Sequence, residues 1–129
     1  MLVVDASVLA PAIVDAGTGG STVRARLRGE AIAAPDLLRI EVLAVIRKRR
    51  IDGSLTVDQA DAAVEDLLDF PLSVFPAAPL LRRAWALRDN LTSYAANYVA
   101  LAEALDCPLL TADARLANAP GNNCTVELV

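Results

Sequence analysis

Leu2-Val3-Val4-Asp5 and Pro108-Leu109-Leu110-Thr111-Ala112-Asp113 decide the fold. Each is a short apolar run that leads into an aspartate. Such runs read as strands buried on both faces of a sheet. Two further runs have the same character. Ala31–Ala34 stops at Pro35, and Leu72–Phe75 lies between prolines. Cys124–Leu128 reads as a last strand.

The intervening segments read as helices. Ala6–Val14 is apolar and helical, with Pro11 tolerable only in the first turn. Gly17-Thr18-Gly19-Gly20 breaks it, and Thr22–Arg28 forms a short helix. Asp36 is placed to cap a long helix over Leu37–Arg50. Thr56 caps Val57–Leu68, Leu80–Arg88 is helical, and Thr92 caps Ser93–Leu105. Ala114–Ala117 is a helical turn. Strands alternating with helices imply an α/β fold: a mainly parallel sheet of four to five strands, covered by helices on both faces. The expectation is a three-layer sandwich forming one domain over residues 1–129.

Composition narrows the chemistry. Hydrophobic residues make up 55% of the 129, enough for a large core. No apolar run is long enough to span a bilayer, and Met1–Asp5 has no basic leader, so a cytoplasmic protein without a membrane is expected. Cys107 and Cys124 read as small buried hydrophobes in preference to a disulfide. With no histidine, imidazole zinc sites and Ser-His-Asp or Cys-His catalysis are excluded. Carboxylates, hydroxyls, Lys, Arg or a metal held by oxygens remain. A net charge of −4 argues against coating nucleic acid by bulk charge. It is compatible with an acidic metal site and a local basic rim.

In parallel α/β sheets, sites form at the carboxyl ends of strands. Asp5 lies at one such end, and a buried carboxylate there is costly without a cation or several donors. Ser7 could cap the following helix itself, which frees Asp5 for function. Glu41 shares its helix face with Leu37 and Val45, with Leu38 and Ala44 also adjacent, so it sits among hydrophobes. A helix cap would suffice to explain Asp113 and is compatible with a ligand role, and Thr111 offers a hydroxyl at the same strand end. Three carboxylates converging there would raise one another's pKa, a cost that a divalent cation removes. Oxygen donors without His or Cys point to Mg²⁺, or Mn²⁺.

At these residues the chain resembles PIN-domain ribonucleases of the VapC toxin type. Val3-Val4-Asp5-Ala6-Ser7-Val8-Leu9 is similar to the family's opening, and Glu41 matches its second acidic residue. The segment from Leu91 to Glu103 and the segment from Pro108 to Leu116 match its last two motifs, in order and over nearly the whole chain. The resemblance implies a Mg²⁺-dependent endoribonuclease toxin with Asp5, Glu41 and Asp113 as catalytic metal ligands, supported by Ser7 and Thr111. It also implies a homodimer, an RNA substrate and a VapB-like antitoxin whose C-terminal segment covers the acidic groove.

One position departs from that pattern. The family usually has aspartate, its third ligand, after the tyrosine of the penultimate motif, and here stands Ala95. Asn97 is no substitute, because two residues along a helix turn it by about 200°. Glu103 is two turns further on. The intact surroundings favour an installed alanine, and a natural loss also fits. The consequence expected is an inactivated or weakened enzyme. The alternative is a catalytically dead scaffold that binds antitoxin or RNA without cleaving. A phosphoacceptor receiver domain is discounted, because the only lysine, Lys48, lies on a helix.

Arg47-Lys48-Arg49-Arg50 ends the Glu41 helix, where cations complement the dipole. These four are the candidates for RNA phosphate contact, with Arg24, Arg26 and Arg28 carrying less weight. Leu80, Leu81, Ala84, Trp85 and Leu87 suit the core or a dimer surface, the core being the first expectation for Trp85.

Overall fold

The computed structural model describes residues 1–129. The first strand, β1 (Leu2–Val4), leads into α1 (Ala6–Val14) and α2 (Thr18–Leu27). Then come β2 (Ile32–Pro35), α3 (Leu37–Ile51), α4 (Val57–Asp69) and β3 (Ser73–Phe75). A 3-10 turn (Ala78–Leu80) opens α5 (Leu81–Ala86), followed by α6 (Ser93–Leu105), β4 (Leu109–Thr111), α7 (Ala114–Asn118) and β5 (Val126–Leu128). The five strands form one parallel sheet in the order β3-β2-β1-β4-β5.

β1 and β4 are buried along their whole length, as apolar runs covered on both faces must be. The core is one cluster that joins the sheet to α1, α3, α4 and α6. The chain builds outward from β1 through β2 to β3, then returns to lay β4 on the other side of β1. The switch point of the sheet therefore lies between β1 and β4. In open parallel sheets the ligand crevice opens at the carboxyl ends of the two strands flanking that point.

Three local expectations are corrected. Pro11 lies in the middle of α1, beyond the first turn, and leaves the Ser7 carbonyl without its helical donor. The break after α1 falls at Asp15–Gly17, but α2 starts at Thr18 and not at Thr22, so Thr18, Gly19 and Gly20 form its first turn. The Asp15 carboxylate accepts from the N–H groups of Gly17 at 2.8 Å and Gly20 at 3.1 Å, and so acts as the cap. Glycine is required at position 20, where a Cβ would come within 1.9 Å of the Asp15 carbonyl oxygen. Asp36 makes no side-chain cap, and its N–H instead donates to the Phe75 carbonyl across the β2–β3 edge. The caps at Thr56 and Thr92 form as read, the first as a capping box with Gln59.

Candidate functional site

Asp5 follows β1 and Asp113 follows β4, so the two adjacent central strands deliver both aspartates to the same edge. Asp5 is 7% exposed and both its oxygens are engaged. Ser7 Oγ donates to Asp5 Oδ1 at 2.5 Å, and Thr111 Oγ1 donates to Asp5 Oδ2 at 2.5 Å. Each hydroxyl in turn accepts a backbone N–H: Ala112 to Ser7 Oγ at 2.8 Å, Asp113 to Thr111 Oγ1 at 3.1 Å. The two hydroxyls thus tie the turn after β4 to the carboxylate after β1. Burial pushes the Asp5 carboxyl above its usual range, against the pull of these hydrogen bonds.

Glu41 reaches the same place from the second turn of α3. Tyr98 Oη, on α6, donates to Glu41 Oε1 at 2.8 Å. Burial raises the Glu41 carboxyl, the Tyr98 bond opposes that, and the nearby Asp5 charge raises it further. Tyr98 is itself buried and its pKa is pushed upward by burial and by Glu41, so it stays a proton donor. Sequence reasoning missed Tyr98. The available signal was its place three residues after position 95, on the same face of α6.

Asp113 is less committed. Its side chain caps α7 by accepting from the Arg115 N–H at 2.9 Å, and Arg115 Nε lies 3.8 Å away. Asp5, Ser7, Glu41, Ala95, Tyr98 and Asp113 all line one cleft of about 210 Å³. Within it, no three acidic side chains come close enough to hold one ion as they stand. Asp5 and Glu41 form the deep pair, and Asp113 stands at the rim. Ala95 occupies the third position of α6, its N–H bonded to Thr92 Oγ1 at 3.1 Å, and gives that wall of the cleft no oxygen donor.

The other polar candidates lie elsewhere. Asn97 faces a separate groove with Leu37, Leu81, Trp85 and Tyr94. Glu103 pairs with Arg83 at 2.7 Å and accepts from the Asn123 N–H. Arg47, Lys48, Arg49 and Arg50 sit on the last turns of α3, about 9–14 Å along the axis from Glu41. They do not line the cleft. Arg24 is spent on the carbonyls of Ala12 and Asp15, and Arg26 grips Glu127 through two bonds. Trp85, expected in the core, is 68% exposed with Arg88 stacked on its ring.

The donor set suits a hard divalent ion. It is made only of oxygens, and its two deepest members are carboxylates whose charge is disfavoured by burial and, for Glu41, also by Asp5. A cation between them removes both penalties.

The family model "PIN domain" matches residues 2–122. Ribonuclease VapC1 of Mycobacterium tuberculosis is 41% identical over 128 residues, covering 98% of this chain and 96% of the relative. Ribonuclease VapC12 of the same organism is 36% identical over 129 residues, covering 100% and 99%. Among solved structures, M. tuberculosis VapC20, described as a sarcin-ricin loop cleaving toxin, shares the fold at a TM-score of 0.71 and 15% identity, covering 91% of this chain and 93% of its own. VapBC2 from Rickettsia felis, solved with a promoter DNA fragment, also aligns at 0.71 and 15% identity, covering 99% and 98%. No helix is long and apolar enough to cross a membrane. Motif order, sheet topology and full-length relatives together make this chain a member of the PIN-domain family of VapC ribonucleases.

Proposed function

We propose that the chain is a metal-dependent endoribonuclease toxin of a toxin–antitoxin pair, weakened by alanine at position 95. The observation that carries this reading is the convergence of Asp5, Glu41 and Asp113 on one cleft at the switch point of the sheet. Asp5 and Glu41 would hold Mg²⁺, or Mn²⁺, with Asp113 completing the site from the rim after turning away from Arg115. When bound, the ion would supply Lewis-acid activation of water and of the phosphodiester. Ser7 and Thr111 hold Asp5 and Tyr98 holds Glu41 by hydrogen bonds, and both carboxylates line the cleft. The alternative, a scaffold that binds antitoxin or RNA without cleaving, draws on the missing carboxylate at Ala95 and on the engagement of Asp113 as the cap of α7. Cleavage of structured RNA by this chain and its Ala95→Asp form separates the two: activity in the restored form supports the enzyme, and inactivity in both supports the scaffold.

The partner in this reading is a VapB-like antitoxin whose cationic side chain enters the acidic cleft. The names of the relatives, VapC and VapBC, support it. The chain as written should still bind that antitoxin, because Asp5, Glu41 and Asp113 keep the cleft anionic. Alanine at 95 removes one charge-assisted contact, worth about 1.5–3 kcal/mol. A nanomolar complex carries about 12 kcal/mol, so affinity should fall roughly 10- to 100-fold and survive. Calorimetric titration of both forms checks this; no binding at micromolar concentration by the chain as written would show that the cleft alone dominates recognition.

A homodimer completes the proposal. Leu81, Trp85 and Tyr94 are 58%, 68% and 63% exposed around one largely apolar groove, a patch of the kind that marks a protein contact. Trp85→Glu is expected to convert the chain to monomer in sedimentation, with little change in melting temperature because the side chain is exposed. An unchanged dimer would place the interface on another face.

A further inference from the structure

Cys107 and Cys124 lie just before β4 and the edge strand β5, which pair in the sheet. The ladder pairs Leu109 with Val126 and Leu110 with Glu127, and Leu109 N–H donates to the Thr125 carbonyl at 2.9 Å. Two residues back along each chain, the same register sets Cys107 opposite Cys124. A step of two keeps each on the sheet face of Leu109 and Val126. Neighbouring strands lie about 4.8 Å apart, inside the Cα separation of about 4.4–6.8 Å that a disulfide accepts. Both thiols are free, partly buried and line one cleft of about 170 Å³.

We propose that Cys107 and Cys124 are a redox pair that closes to an intrachain disulfide when the chain meets a low-molecular-weight disulfide. One thiolate attacks the small disulfide, forms a mixed disulfide and releases one small thiol. The second thiolate then displaces the other small thiol and forms the Cys107–Cys124 bond. Two protein thiols are oxidised, and one small disulfide is reduced to two thiols. Burial raises both thiols, and Cys124 is raised further by Glu103 and by Cys107, so exchange is slow at neutral pH and faster in alkali. Closure joins the segment entering β4 to the segment entering β5. The loop so closed contains Asp113 and α7, the rim of the acidic cleft.

The test uses the full chain with oxidised glutathione at mildly alkaline pH, read by thiol titration and intact mass. The expected result is loss of both thiols with a mass decrease of two hydrogens and no retained glutathione. The oxidised chain should melt several degrees higher than the reduced one, and dithiothreitol should reverse the shift. Cys107→Ser and Cys124→Ser should each stop at a single glutathione adduct. Stable double adducts, interchain dimers or two persistent free thiols in the unsubstituted chain would each overturn the proposal.

Discussion

Ala95→Asp is expected to raise Mg²⁺-dependent RNA cleavage on the order of 100-fold or more. The size follows from what losing even an indirect metal-site partner does, roughly 10- to 100-fold in affinity or activity. Position 95 lines the cleft beside Tyr98 and Asp113, so aspartate there would give the α6 side of the cleft a carboxylate, which it lacks. Its backbone is already set. Thr92 caps α6 through the N–H of residue 95, and an acidic side chain in the first turn of a helix is favoured by its dipole. The substitution should therefore not disturb the fold, and the melting temperatures of the two forms without metal should agree within a few degrees. Rates of cleavage on structured RNA at saturating Mg²⁺ check the effect. Equal rates would mean that the third carboxylate is not what limits this chain.

Much of that site could be read before any coordinates, for physical reasons that stop short of the rest. Asp5 and Glu41 stood out because charge among buried hydrophobes costs free energy, and Asp113 because it follows a second apolar run; all three line one cleft. The strand ends at Val4 and Thr111 were legible from short apolar runs. What joins these residues was not legible. The Ser7 and Thr111 hydroxyls meet Asp5 only because β4 lies beside β1, a pairing between residues more than a hundred apart in the chain. Tyr98 is buried in the core, and its hydroxyl reaches Glu41 only because the fold brings α6 to α3. Gly19 and Gly20 read as part of a breaker because composition does not reveal that Asp15 caps the turn of α2 they open. The basic run at Arg47–Arg50 matched a nucleic-acid pattern locally. The direction of α3 carries it away from the cleft, because the helix starts at the strand ends and runs outward from them.

Asp5→Asn, introduced into the Ala95→Asp form, is expected to erase the whole gain in cleavage without unfolding the domain. The carboxylate is the deepest in the cleft, and an amide keeps its shape while removing the charge that would hold an ion. The stability argument turns on a sign. Burial holds the folded Asp5 carboxyl above its ordinary pKa, so its ionised form is disfavoured in the metal-free folded chain. The stability associated with the protonated group is present at low pH and is lost as pH rises from the ordinary carboxylate value through the raised one. A permanently neutral amide avoids that loss. Hydrogen bonding permits the exchange. One oxygen can still accept from Ser7 or Thr111, the amide N–H can donate to the other hydroxyl, and Ser7 Oγ and Thr111 Oγ1 lie 3.3 Å apart, close enough to bond each other. In chelator at neutral pH, Asp5→Asn should melt at or above the parent temperature, and the difference should shrink as pH falls through the carboxylate range. A clearly lower melting temperature for the metal-free variant would mean that the ionised carboxylate, gripped by two hydroxyls, holds β1 to β4 and that Asp5 serves the fold before it serves any ion.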